Sequence, residues 1–285
     1  MDTIEAYLAK HQDRFDLFHP ETPFLQTAEL RTAKDETFPL DRLIADVPNG
    51  VPFFATRRGE LSLTYAEAAR WLVHAHAYDP SGIKSGAIGD ERVKNGKGYP
   101  IGIAWSGWLG GVLVEGKTLR ETLLLNLLAA DVAKRDPEAD VPVWERKPLT
   151  VRDESGYAEQ GREPAGPVDL YTWPSRRIRL VADGGRVTRV ILANGNRLQP
   201  QNRERFEPHT AWRRSTNQEK QLKSAVPVYM PRAHDPDRAI WRGLESLLPA
   251  AAVQQGKARR NGSHRVCSTG SATSACGWRF PGTSR

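Results

Sequence analysis

The sequence predicts an α+β fold of mixed short strands and separated helices, and three observations carry that expectation. Arg177-Ile178-Arg179-Leu180-Val181 and Arg186-Val187-Thr188-Arg189-Val190 flank Asp183-Gly184-Gly185, two β-rich runs around a hairpin turn signature. Two helices declare their starts with capping boxes, Thr64 with Glu67 and Thr118 with Glu121. Strands and helices do not alternate in the regular way a parallel sheet requires.

In chain order, residues 1–12 read as a short helix with Ile4, Tyr7 and Leu8 on one stripe. Residues 13–63 scatter apolar side chains among Pro20, Pro23, Pro39, Pro48 and Pro52, which predicts irregular structure with short strands. A helix follows at about 64–77, its apolar rows lying about Trp71. Residues 78–100 read as a long loop that holds Gly82, Gly86, Gly89, Gly96 and Gly98 together with Lys84, Arg92, Lys94 and Lys97. A structureless stretch of that length inside a domain is usually functional or disordered. Residues 101–115 fit Gly-punctuated strands, and Thr118 opens the strongest helix, about 119–134. Residues 150–167 read as a surface excursion, and Asp235-Pro236 starts a last helix through about Leu248. One domain is therefore expected over 1–249. Residues 250–285 contain no Asp or Glu and few bulky apolar side chains. Such a segment cannot bury enough surface to offset its ordering entropy, so a disordered basic tail is expected.

Composition narrows the function classes. The 285 residues are 39% hydrophobic and 26% charged, with a net charge of +7. That charge is graded: −5 over residues 1–50, +1 over 51–150, +5 over 151–250 and +6 over 251–285. A basic gradient permits a polyanion partner. No apolar run reaches the roughly 18 residues of a membrane helix, and no secretory signal opens the chain. Cys267 and Cys276 are too few for a disulfide framework or a Cys-based zinc site. A cytoplasmic protein with no membrane partner is the expectation.

The candidate chemistry divides into a catalytic and a binding reading. Gly111-Val-Leu-Val-Glu-Gly116-Lys117-Thr118 matches the phosphate-binding loop pattern of nucleotide hydrolases and runs straight into a helix. Its Val112-Leu113-Val114 centre favours a strand over a flexible anion cradle, and Glu115 would set a carboxylate beside the anion. His74 and His76 point about 200° apart on a helix and cannot chelate together, so no metal is expected. Neither a Gly-x-Ser-x-Gly elbow nor a His-Glu-x-x-His helix is present. On the binding side, Lys84, Arg92, Lys94 and Lys97 either grip a phosphate backbone or form a solvated loop. Trp105 and Trp108 either pack in the core or stack on a base.

Several stretches together resemble the large-subunit (CasA) family of the type I-E CRISPR surveillance complex, Cascade. They are Phe15–Gln26, Gly82–Gly86, Trp105–Gly111, Leu119–Asn126, Pro142–Glu145, Asp169–Trp173 and Pro227–Arg232, in order over about 13–248. The resemblance implies a non-enzymatic, cofactor-free subunit. Its partners would be the other Cascade subunits, guide RNA, target double-stranded DNA and a recruited helicase-nuclease. Guide pairing would read sequence, while protein reads a short target-adjacent motif and the backbone.

The resemblance also implies site residues. A glycine loop facing the motif's minor groove falls at Ser81-Gly82, ahead of Lys84-Ser85-Gly86. There Gly82 and Gly86 would allow close backbone approach, and Lys84, Arg92, Lys94 and Lys97 would meet phosphates. Lys220 matches a further motif-reaching lysine. Contact with the guide RNA falls on Phe53-Phe-Ala-Thr-Arg-Arg58, with Phe53 to stack and Arg57 and Arg58 to meet phosphate. The family is longer, with more domain before Phe15 and a C-terminal helical bundle that finds no counterpart here. Some members carry a four-cysteine zinc site that this sequence lacks. The expectation is a piece of a disrupted gene, with residues after 248 out of frame.

Overall fold

A computed structural model describes residues 2–46, 61–127, 136, 138–152 and 162–235, and every structural statement below concerns these. The expected α+β class is what it contains. Its centre is the hairpin that the Asp183-Gly184-Gly185 signature predicts. Strand β5 (Arg176–Asp183) pairs antiparallel with β6 (Arg186–Asn194), and Gly184 and Gly185 turn the chain at φ 57° and 77°. Those left-handed values suit the right-handed twist of a tight hairpin and favour glycine.

β5 covers one edge of β6, and three separate segments share the other. Leu63 exchanges two 2.9 Å backbone hydrogen bonds with Val187. Strand β1 (Phe38–Pro39) lies opposite Val190 and Arg189, and β2 (Lys84–Ser85) joins in parallel at Ala193. Beyond β2 come β4 (Lys97–Gly98) and β3 (Val93–Lys94), all antiparallel. β6 is thus the strand on which remote parts of the chain meet.

Alternation along β6 feeds two cores, as a pleated strand requires. Val190 and Leu192 face Ile178, Leu180 and the apolar side of α2 (Tyr65–Tyr78), where Ala68, Leu72 and Ala75 are buried with Leu40, Leu43 and Ile44. Ile191 and Ala193 face Leu30, Ala87 and Val151. The Thr64–Glu67 capping box of α2 forms in both directions. A third cluster, Trp105, Leu170, Phe206 and Trp212, joins α4 (Pro167–Tyr171) to the two-stranded sheet of β7 (Trp212–Arg214) and β8 (Tyr229–Pro231). Between those strands lies α5 (Thr216–Leu222).

Several expectations need correction. Residues 101–115 are not strands: Trp105–Trp108 forms a 3-10 turn, with Gly107 N–H donating to the Ala104 carbonyl, and one isolated bridge pairs Gly111 with Thr210. Packing of Trp105 into the third cluster outweighs the β propensity of the segment. Residues 78–100 are not a structureless loop, because β2, β3 and β4 lie within them. Helix α3 spans only Leu119–Leu125 among the described residues; Asn126 turns its amide back to the Val114 and Thr122 carbonyls and ends it. Helix α1 (Asp2–Lys10) turns Ile4 and Leu8 outward, and Tyr7 ties it down through Glu145. The expected helix after Asp235 and the tail lie outside the described residues. Among the described residues no helix is long and apolar enough to cross a membrane.

One of the buried titratable groups sits on the core face of α2. His76 of α2 is 7% exposed, and its Nε2–H donates to the Leu25 carbonyl at 2.9 Å. Burial, reinforced by Arg177 and Arg176, lowers its pKa to about 4 although the Leu25 hydrogen bond opposes the shift. Since the folded value lies below the ordinary 6.5, the unfolded chain binds the extra proton between those limits. Stability is therefore complete above about pH 6.5 and falls progressively toward pH 4, by up to about 3 kcal/mol. Urea melts of wild type and His76→Gln across that range test this: the variant should lose most of the wild-type slope there.

Candidate nucleic-acid interface

The residues that join α2 to the Trp105 turn are held at both ends by one side chain. Asp79 is the C-cap of α2, its N–H bonded to the Ala75 carbonyl. Its carboxylate oxygen Oδ2 accepts from Arg176 Nε at 2.5 Å and from Lys84 Nζ at 2.7 Å. Arg176 is 1% exposed, and its Nη2 also donates to the carbonyls of Asp79, Pro80 and Gly102. One buried guanidinium therefore binds the chain where the excursion leaves and where it returns. A planar, permanently charged fork suits that task better than a lysine.

Inside the excursion, β3 and β4 form a second tight hairpin. Asn95 and Gly96 make its turn at φ 53° and 70°. Gly86 packs directly beneath: a Cβ there would lie 2.5 Å from the Gly96 carbonyl, and Gly86 N–H donates to that oxygen. Arg92 secures the base, meeting both Asp90 carboxylate oxygens at 2.9 Å and the Gly195 carbonyl at 2.9 Å.

The six residues expected in this segment thus divide by role. Lys84 is largely buried and tied to Asp79; burial lowers its pKa, and the Asp79 charge opposes that shift. Arg92 holds backbone and carboxylate, and Gly86 provides close packing. Lys94 and Lys97 are exposed and directly opposite each other across the hairpin. Gly82 stands in the open, with nothing within 4 Å of an added Cβ, next to exposed Ile83. Lys220 is exposed on α5, on a different part of the molecule. Phe53, Arg57 and Arg58 lie outside the described residues.

The nucleotide-hydrolase reading of Gly111–Thr118 does not fit the geometry. The amides that would cradle phosphate are already bonded: Val114 N–H to Asn126 Oδ1, Gly116 N–H to Thr122 Oγ1, and Lys117 N–H to Glu121 Oε2. Thr118 Oγ1 accepts the Glu121 N–H as a helix cap instead of being available to a cation. Trp105 is 2% exposed in the third core cluster, so it is not a stacking platform. Among the described residues no group of three or more His, Cys, Asp or Glu could hold a metal ion.

Two features escaped sequence reasoning for different reasons. The β3–β4 hairpin had a signal, since Asn95-Gly96 is the strongest short hairpin signature. Arg176 had none. At the head of an alternating strand it reads as a solvent-facing charge, and only the fold brings Asp79 to it.

Comparison with known proteins adds the family. A family profile described as CRISPR-associated protein Cse1 (CRISPR_cse1) matches residues 1–274. A Thermus thermophilus relative described as CRISPR-associated protein CasA/Cse1 is 32% identical over 252 residues, covering 87% of this chain and 45% of the relative. The crystal structure of Thermobifida fusca Cse1 is 55% identical with a TM-score of 0.79, over 90% of this chain and 48% of that one. A chain from a CRISPR RNA-guided surveillance complex shares the fold at 24% identity, with a TM-score of 0.60 over 87% of this chain and 48% of that one. The chain spans about half the length of these relatives.

The Asp79–Arg176 pair generates a stability prediction. Asp79→Ala leaves Arg176 buried without its carboxylate and frees Lys84, at a cost of about 3 kcal/mol. Urea unfolding should show that loss, and amide exchange should rise first across residues 80–101.

Proposed function

Because the chain belongs to the CRISPR-associated Cse1 family, we propose that it is a non-catalytic nucleic-acid-binding part of a cytoplasmic RNA-guided surveillance complex. Target double-stranded DNA meets it at the excursion between α2 and the Trp105 turn. Lys94 and Lys97 take a phosphate, and Gly82 lets the backbone approach the groove floor beside the target-adjacent motif. Lys84, Gly86 and Arg92 contribute to DNA binding by fixing this surface. Lys220 adds a separate cationic contact. Phe53, Arg57 and Arg58 serve the guide RNA, and the remaining Cascade subunits and a helicase-nuclease are the protein partners.

The observation that carries this reading is the opposition of Lys94 and Lys97. Like charges directly across a β ladder destabilise it. Neither ammonium has an ion-pair partner among the described residues, while Lys84 and Arg92 nearby are both paired. A backbone phosphate between the two lysines relieves that repulsion, and the tight Asn95-Gly96 turn fixes the backbone positions from which they reach it.

Fluorescence anisotropy with a motif-bearing duplex at several salt concentrations tests it. Lys94→Ala with Lys97→Ala should weaken binding and flatten the log–log salt slope by about 0.9, the value for one lost phosphate contact. An unchanged slope overturns the assignment. Gly82→Asp should also weaken binding, because it sets a carboxylate toward phosphates, and should leave the urea midpoint unchanged because the site is open. Full affinity in that variant removes Gly82 from the interface.

A further inference from the structure

Three segments remote in sequence meet around an open cleft of about 530 Å³. Ile88 N–H donates to the Arg31 carbonyl at 3.0 Å, and Thr32 bridges Ala87. Glu29 Oε1 accepts the Val151 N–H at 3.2 Å, and Arg152 Nε donates to the Gly89 carbonyl at 3.3 Å. Each segment is thereby bonded to the other two. Val151 also packs in the buried cluster that holds Leu30 and Ala87, so the core itself fixes one wall of the cleft.

The lining decides what fits. Ile88, 56% exposed, and Val151 give it an apolar surface. Arg31 and Arg152 line the same cleft, and neither guanidinium has a carboxylate partner among the described residues. Glu29 has one oxygen on Val151, and its Oε2 has no partner among the described residues. Two unpaired cations beside an aliphatic surface suit carboxylates next to an aliphatic side chain, and the free Glu29 oxygen suits a main-chain N–H. A nucleic acid fits less well, because no aromatic ring lines the cleft to stack a base and the Glu29 carboxylate repels phosphate. A small ligand needs most of its surface enclosed, whereas Glu29, Arg31 and Arg152 are all exposed. An extended segment that continues past both ends of the cleft meets no such requirement.

We propose that this cleft receives an acidic segment of a partner protein, one that carries an aliphatic side chain between two carboxylates. The aliphatic group packs on Ile88 and Val151, the carboxylates pair with Arg31 and Arg152, and Glu29 accepts an N–H of the segment. None of these residues belongs to the proposed DNA contact, so the two readings stand or fall separately.

Fluorescence anisotropy of the full 285-residue chain with a labelled glycine-aspartate-leucine-aspartate-glycine peptide tests it. Saturable binding is expected. Exchanging both aspartates of the peptide for asparagine, or its leucine for glycine, should weaken binding about tenfold or more. Arg31→Ala with Arg152→Ala should do the same, whereas Arg70→Ala, at an exposed position on α2, should change nothing. Bound peptide should also slow amide exchange at 87–89 and 150–152. The proposal is overturned if the peptide fails to saturate below about 1 mM, or if the asparagine peptide binds as well as the acidic one. It is equally overturned if the double arginine variant keeps full peptide affinity, or if that variant loses affinity for a DNA duplex while the peptide does not bind, since the cleft would then serve nucleic acid.

Discussion

A single buried ion pair, Arg176 with Asp79, sets the position of the excursion proposed to meet target DNA. Without it the 80–101 excursion would be a long connection between α2 and the Trp105 turn, and closing such a loop carries an entropic cost. With it, both ends of the excursion are bound to the first residue of β5, and β5 is bound along its length to β6. The guanidinium's cost of burial is met by four carbonyls and a carboxylate. The surface that results is rigid for a reason located far from its tip.

From that anchor the charges of the excursion acquire distinct tasks. Lys84 and Arg92 have carboxylate partners and work inward, so their contribution to any ligand is indirect. Lys94 and Lys97 flank a two-residue turn with no such partner among the described residues. A binding surface made this way spends little on ordering when the ligand arrives. The formal net charge of +7 does not reveal the distinction, since it counts paired and unpaired cations alike.

The legibility of the sequence followed the range of the interactions. Local signals were legible: the Asp183-Gly184-Gly185 turn and the Thr64–Glu67 box form as expected, while the expected Thr118–Glu121 box is half made, Thr118 capping Glu121 N–H and the Glu121 carboxylate turning to Lys117 N–H instead. The candidate interface was legible as a region, through its glycines and cations. Its internal order was not, because Asp79 meets Arg176 across nearly a hundred residues and Gly86 meets Gly96 only once the hairpin folds. The Asn95-Gly96 turn was readable and was absorbed into a loop because its flanking strands are two residues each. Trp105 misled in the other direction: an aromatic among glycines resembles a strand or a stacking surface, yet a 3-10 turn carries it into the core.

The central claim is that the pinned excursion, rather than the basic surface in general, receives the nucleic acid. Comparing amide exchange of the full chain with and without a motif-bearing duplex tests it most directly. The account predicts new protection at residues 81–83 and 93–98, with β5 and β6 unchanged. Protection confined to other segments, with 93–98 exchanging as fast as in the free chain, would contradict it.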